Sequence, residues 1–381
     1  MDRAAIIGVG MTKIEKSKVR ETFADMAWEA VNKALADAGM TIDDIDNVVT
    51  TSSDFWDGRT ISCMAVGDAS GAADKNTSCV EGDGTYGAFY GYTRALSGSY
   101  KTTLVTGHSK GSQCISSLIT NASFDPICER GLGMDMITAC AMQANAYMNR
   151  TGLRPEDMAR VSVKNHGNAF KNPMAQLPMN ITVSDVIKSE MIADPLHKLD
   201  CSPVSDGCCA VIIAHESVAT KFKQKPVWIR GLSLCTDSFF FGDRDLARSN
   251  ALVDATKNAY KMAGIHDPRK EIDIVELYDA FTYQELLWLE EMGLADYGKA
   301  AKLLEAGEFN MNGPLPVNPS GGLLAGHPVI AAGLYRIAEV VMQLRGDAGE
   351  HQVKKAKTGL AHGVNGLCGQ SHCVWILDKE R

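Results

Sequence analysis

Residues 30–51, AVNKALADAGMTIDDIDNVVTT, and residues 255–277, ATKNAYKMAGIHDPRKEIDIVEL, carry one pattern twice. Ala38-Gly39 answers Ala263-Gly264, and Ile45-Asp46 answers Ile272-Asp273. Each copy reads as helix, turn, strand. The glycine is where a left-handed C-cap meets no Cβ strain, and the Ile/Val-rich run after it has the length of a buried strand. Self-similarity at this separation marks a duplicated unit.

A second pair follows in the same order. Asn76-Thr-Ser-Cys79 leads into the glycine-rich run from Gly82 to Gly87, and Asn318-Pro-Ser-Gly321 leads into Gly326-His327-Pro328. Beyond Pro328, the apolar residues Ile330, Leu334, Ile337, Val341 and Leu344 are spaced by fours and threes, one face of a helix. Two α/β halves are expected, residues 1–225 and 226–381, each with a mostly parallel sheet covered by helices. Residues 115–200 break the pattern with Met-rich and Pro-dotted stretches, and they read as an insertion that shapes a ligand cleft.

The bulk composition narrows the function. A chain of 381 residues exceeds the roughly 250–300 at which a single hydrophobic core stops growing. The net charge of −8 argues against a nucleic-acid binder, which needs a basic face to replace phosphate counterions. The N-terminal stretch MDRAAIIGVGMT holds an apolar run too short for a signal-peptide core or a membrane span, so a cytoplasmic protein is expected. The 11 cysteines show no CxxC, and no HExxH is present. Reduced thiols are expected rather than a disulfide framework, and no metal site.

Three places have the residue types of a reactive site. Cys79 stands just before the glycine-rich turn, where a helix N-terminus would stabilise a thiolate and backbone N–H groups would hold an oxyanion. The plainer reading is a small buried hydrophobe. His327 occupies the matching place in the second half, with Pro328 at the first helical turn; packing of the halves about a pseudo-twofold would pair it with Cys79, whereas a lone helix-capping histidine is the alternative. Cys368 and Gly369 lie in HGVNGLCGQSHCVWIL (362–377), where a thiol can exchange a proton with a carbon acid, or the turn merely precedes an edge strand. Gly107-His-Ser109-Lys-Gly111 matches a hydrolase nucleophile elbow without the usual oxyanion segment before it. Gly8-Val-Gly10 reads as a strand-end turn.

Three ordered segments resemble the thiolase superfamily, in particular its sterol-carrier-protein and archaeal branch. They are Lys164-Asn-His166-Gly-Asn168-Ala169-Phe-Lys-Asn172-Pro173, Asp200-Cys201-Ser202-Pro203-Val-Ser205-Asp206-Gly207, and Gly326-His327-Pro328. The resemblance spans nearly the whole chain. It implies a duplicated five-layer αβαβα fold with an inserted loop domain over the site, and a homodimer. It also implies cleavage of a 3-oxoacyl-CoA by coenzyme A as co-substrate, or the reverse Claisen condensation, with no metal or redox cofactor. In that scheme Cys79 is acylated and His327 activates it, and the candidate for second acid is Cys368 of the glycine-rich turn. Gly369 helps hold the acyl oxygen, with Asn318 and His166 on the substrate side.

The chain also departs from the pattern. Tyr278-Asp279-Ala280-Phe281 stands where the branch shows His-Asp-x-Phe, so the Tyr278 hydroxyl or a water takes over the enolate oxygen. The second cysteine of biosynthetic thiolases would fall at Asn365, three positions from Cys368. Together with the Met- and aromatic-rich insertion, this is similar to the benzoylsuccinyl-CoA thiolase type, which implies a bulky or aryl acyl group and a zinc-ribbon/OB-fold accessory subunit. Two other readings stay open: a ketosynthase-type condensing enzyme using Cys79, His327 and Asn365, and a non-catalytic scaffold with an unreactive Cys79.

Overall fold

A computed structural model describes residues 2–380. Eleven strands form among them: β1 (Ala4–Met11), β2 (Asn47–Ser52), β3 (Asn76–Glu81), β4 (Thr102–Lys110), β5 (Met191–Ala193), β6 (Leu196–His197), β7 (Asp206–His215), β8 (Val227–Thr236), β9 (Ile274–Glu276), β10 (Thr358–Asn365) and β11 (Ser371–Asp378). Nine of them make one sheet in the order β3-β2-β4-β7-β1-β8-β11-β10-β9. The order is a near-palindrome of two halves joined where β1 meets β8, through Ala5↔Trp228 and Ile6↔Val227. An isolated parallel bridge, Val275↔Val317, stands beside β9 where β3 stands beside β2.

The repeated segments are structurally equivalent. Helix Phe23–Ala38 ends on Gly39 at φ 67° and helix Asn250–Ala263 on Gly264 at φ 66°, and each leads on into its strand, β2 or β9. The expectation of mostly parallel sheets fails. Only β2–β3, β2–β4 and β9–β10 run parallel, while β1–β7, β1–β8, β4–β7, β8–β11 and β10–β11 are antiparallel. The reason lies in the connections: β10 and β11 follow each other through a short turn that allows only an antiparallel return.

Strand alternation creates the layers. Ala5 and Ile7 pack with helix Phe23–Ala38 in one core, whereas Ile6 between them faces a second core. In the other half Cys373 and Trp375 face that same second core, while Val374 and Ile376 face a third with helix Asn250–Ala263. Three cores divided by two leaves of sheet produce a helix–sheet–helix–sheet–helix stack.

The middle layer holds the duplicated helices Gly84–Leu96 and Ala332–Arg345, packed against each other. A Cβ on Gly84 would lie 2.6 Å from Leu334 Cγ, and one on Gly333 only 2.0 Å from Asp83 Oδ1, so glycine is required at this crossing. The apolar stripe Ile330, Leu334, Ile337, Val341 and Leu344 is buried as its spacing demands. The opposite face is buried too, with Arg336, Glu339 and Gln343 enclosed and bonded. Within the inserted stretch, helices Met136–Thr151 and Pro155–Asn168 pack on Thr282–Glu291, a helix buried along its whole length.

Candidate active site

The sheet and its middle helices leave a cleft of about 480 Å³ between the β3–helix junction, the segments around Ser202 and His327, and the Gly366–Gly369 turn. His327 is held there by its backbone. Its amide donates to Ser205 Oγ (2.9 Å) and its carbonyl accepts from the Ser205 amide (3.0 Å), so the Ser-Pro-Val-Ser-Asp segment and the Gly-His-Pro segment are bonded side by side. Pro328 does not open the long helix as expected. It precedes a single 3-10 turn, Val329–Ala331, and the helix begins at Ala332.

Both ring nitrogens of His327 are engaged. Nε2 lies 2.9 Å from the Tyr278 hydroxyl and Nδ1 lies 2.9 Å from Ser202 Oγ. Burial, and secondarily the nearby Asp83 carboxylate, push the Tyr278 phenol well above its ordinary value. It therefore keeps its proton and donates to Nε2, which leaves the His327 proton on Nδ1 to donate to Ser202. Burial, with Arg336 as a lesser contributor, pushes the His327 imidazolium down to about 3. The ring is accordingly neutral through the working range. In an NMR titration of histidine-labelled protein, the His327 signals should not move between about pH 5 and pH 8; a midpoint near the ordinary 6.5 would contradict this arrangement.

Cys79 is not among the residues lining this cleft, and the ring nitrogens of His327 meet Tyr278 and Ser202 rather than the Cys79 thiol. Strand β3 continues past it to Glu81, with Cys79 paired opposite Thr50, and the helix N-cap is Asp83. The Cys79 thiol sits 3.5 Å from Ser52 Oγ and beside Cys63, which feels it as a hydrogen-bond partner. The residue that lines the cleft at the end of β3 is Glu81, whose Oε1 accepts from Ser53 Oγ at 3.2 Å. Gly82 follows with φ 117°, and Asp83 receives the Thr85 amide (2.9 Å) and, from the other half, the Gly333 amide (2.8 Å). Burial pushes the Asp83 carboxyl up to about 6.

The other expected residues divide. Cys368, Gly369 and Asn365 line the cleft with Tyr278 and His327. Cys368 is 2% exposed at φ 47°, and its sulfur lies 3.3 Å from that of Cys140, a second cleft thiol. Asn318 and His166 are not cleft residues. Asn318 is fully buried at φ 48°; its Oδ1 accepts from the Leu277 amide (2.9 Å) and its Nδ2 donates to Glu285 (3.0 Å), so it braces the backbone leading to Tyr278. His166 Nδ1 bonds to the Leu177 carbonyl at 2.8 Å, tying down the inserted stretch. Ser109 is fully buried inside β4, which removes the hydrolase elbow.

Residues outside the expected set complete the cleft. Glu81, Asp83, Ser202 and Cys140 line it, as do Phe55, Trp56 and Phe281 on an apolar wall. Phe55 and Trp56 ride on the short helical turn Asp54–Asp57, which is anchored by a 2.8 Å bond between the buried Asp57 and His108. Ser202 was within reach, since it lies inside a motif already singled out. Glu81 carried only its place beside the glycine turn.

Comparison with known proteins identifies the family. Residues 234–379 match the family model described as thiolase C-terminal domain-like. The chain is 36% identical to an acetyl-CoA acetyltransferase of Methanothermobacter thermautotrophicus, over 97% of this chain and 98% of that protein. It is 33% identical over 62% of each chain to the benzoylsuccinyl-CoA thiolase subunit BbsB of Thauera aromatica. Among solved structures, one titled Ltp2-ChsH2(DUF35) aldolase superposes with a TM-score of 0.86 at 26% identity, covering 100% of this chain and 98% of that one. The chain belongs to the thiolase superfamily, a family whose enzymes are of the thiolase acyltransferase type. Thiolytic acyl transfer is the general chemistry of that type. Among the described residues no helix is long and apolar enough to cross a membrane.

Proposed function

We propose that this chain makes or breaks the C2–C3 bond of a CoA thioester, and that it does so without an acyl-enzyme, as a retro-aldol or aldol reaction on a 3-hydroxyacyl-CoA. The observation that carries this reading is the cleft itself: the carboxylate of Glu81 ends β3 there, while the Cys79 thiol faces Ser52 instead. A carboxylate next to the bond-breaking centre suits a base better than a nucleophile that must depart as a thioester.

In this scheme Glu81 takes the proton of the 3-hydroxyl, the C2–C3 bond electrons pass into the thioester as an enolate, and a carbonyl compound leaves. The Tyr278 phenol, oriented by His327, then protonates C2. Solvent replenishes Tyr278 and accepts the proton from Glu81, so the reaction is neutral overall. The Gly366–Gly369 turn closes the cleft on the enolate side. The wall of Phe55, Trp56 and Phe281, together with the name of the Thauera relative, supports a bulky or aryl group on the departing fragment.

Two features support working partners. Strand β3 is a partly exposed edge with unpaired backbone groups on one side, the kind of edge that pairs with a second copy of the chain. The relatives named as a subunit and as a two-component aldolase support an accessory chain, for which a zinc-ribbon/OB-fold protein is the expected type.

A second reading, thiolysis through an acylated Cys79, draws on the exposure of that thiol. One pair of variants separates the two. With 3-hydroxyacyl-CoA substrates, Glu81→Gln should lower kcat on the order of 10²-fold, whereas Cys79→Ser should leave it within twofold. An acyl adduct on Cys79 after exposure to a 3-oxoacyl-CoA, with two acyl-CoA products on adding CoA, would establish thiolysis and sink the aldol reading.

A further inference from the structure

Two imidazoles that take no direct part in the cleft connect its opposite walls. His362 on β10 and His372 on β11 have no solvent exposure, and their rings lie within 13° of parallel with centroids 5.2 Å apart. The Tyr278 amide donates to His362 Nδ1 at 3.4 Å. His362 Nε2 meets His372 Nδ1 at 2.9 Å. His372 Nε2 in turn lies 2.9 Å from the Gly369 carbonyl and 2.9 Å from Ser249 Oγ, at the N-cap of helix Asn250–Ala263.

The first link dictates the rest. A backbone amide can only donate, so His362 Nδ1 accepts and its proton resides on Nε2. That proton points at His372 Nδ1, which must accept, leaving the His372 proton on Nε2 for the Gly369 carbonyl, which can only accept. Every donor in the chain meets an acceptor in one direction. Burial pushes the His362 imidazole well below its ordinary value and that of His372 down to about 3, so each ring carries a single N–H near neutrality.

The surroundings admit little play. The Trp288 ring meets His372 edge-on with centroids 4.9 Å apart and His362 at 6.3 Å. A Cβ on Gly369, itself at φ 68°, would lie 2.7 Å from Trp288 and 3.0 Å from His372 Nε2. Glycine there lets the turn approach the imidazole closely enough to bond.

We propose that His362 and His372 form a hydrogen-bond relay of fixed polarity that sets the distance between Tyr278 and the Cys368–Gly369 turn, making both histidines positioning residues for the bond-breaking step. This rests on the reading of Tyr278 as the proton donor. The relay moves no proton itself. It works as a strut across a cleft whose two walls come from different segments, and misplacement of a catalytic group by about 1 Å is enough to cost on the order of 10²-fold in rate.

The test has two parts. In the full-length wild-type protein labelled with ¹⁵N-histidine, long-range ¹H–¹⁵N spectra at neutral pH should show His362 and His372 as neutral Nε2–H tautomers; an Nδ1–H tautomer at either position overturns the relay. In kinetics, His372→Phe should lower kcat on the order of 10²-fold with KM within twofold. His372→Asn, which can still accept from His362, should recover part of the loss. In a Tyr278→Phe background His372→Phe should add no further loss, because the two act as one unit. A full, independent loss in that background overturns the proposal, as does unchanged kcat in both His372 variants. If Tyr278→Phe alone retains full activity while the tautomers are as expected, the proton-donor reading is what fails. Should His372→Phe not fold, the tautomer spectra and His372→Asn decide.

Discussion

Tyr278→Phe should lower kcat/KM by about 10²- to 10⁴-fold, the range lost when a positioned acid or base is removed. The substitution deletes one oxygen and leaves the ring, which packs edge-on against His327 at 5.3 Å and 89°. Melting temperature should therefore change little. What disappears is the hydroxyl that bonds His327 Nε2, together with the proton it carries. Steady-state kinetics on a 3-hydroxyacyl-CoA, with circular dichroism to check folding, would measure this. A variant within threefold of wild type would show that Tyr278 is a wall of the cleft and nothing more.

The largest effect on stability is expected at Arg336. Its guanidinium lies 2% exposed in the middle layer, bonded through Nη1 to Glu276 and, at 2.9 Å, to Ser320 Oγ. Glu276 ends β9 and also receives the Ser320 amide (3.0 Å) and hydroxyl (2.7 Å). Breaking a buried pair by removing one partner costs about 3–5 kcal/mol, because the remaining charge has no water to return to. Arg336→Met should cost about that much in urea denaturation. The deficit should also depend on pH with a definite sign. Burial already pushes the Glu276 carboxyl above its ordinary value despite Arg336, and without the guanidinium it rises further. The folded variant then binds a proton more readily than the unfolded chain, so its stability relative to wild type should fall as pH rises from acid toward neutral. A deficit that is independent of pH would mean that the carboxylate finds another partner. Since Glu276 lies two residues before Tyr278, the same pair ties the segment carrying Tyr278 to the middle-layer helix Ala332–Arg345.

Much of this molecule is legible in the chain. The duplication, both glycine C-caps, the apolar stripe from Ile330 to Leu344, and the motifs holding Ser202 and His327 are local patterns, and local patterns survive folding because each is set by the backbone geometry of a single turn or helix. Tyr278 could be singled out because it departs from an expected histidine. The backbone-bracing bonds of Asn318 and His166 are not legible in the chain, because they depend on partners such as Leu277, Glu285 and Leu177, which are remote or unremarkable in sequence.

The choice between Cys79 and Glu81 belongs to the tertiary structure alone. The two residues are two apart on one strand, so the alternation of side chains places them on the same face and cannot tell them apart. What decides is where β3 stops: Asp83 caps the next helix by accepting the Thr85 amide and is held from the other half by the Gly333 amide, and with it Glu81 lines the cleft while Cys79 does not. The amino-acid sequence alone determined that two alike halves would face each other. Only the folded structure determined which side chain lines the cleft.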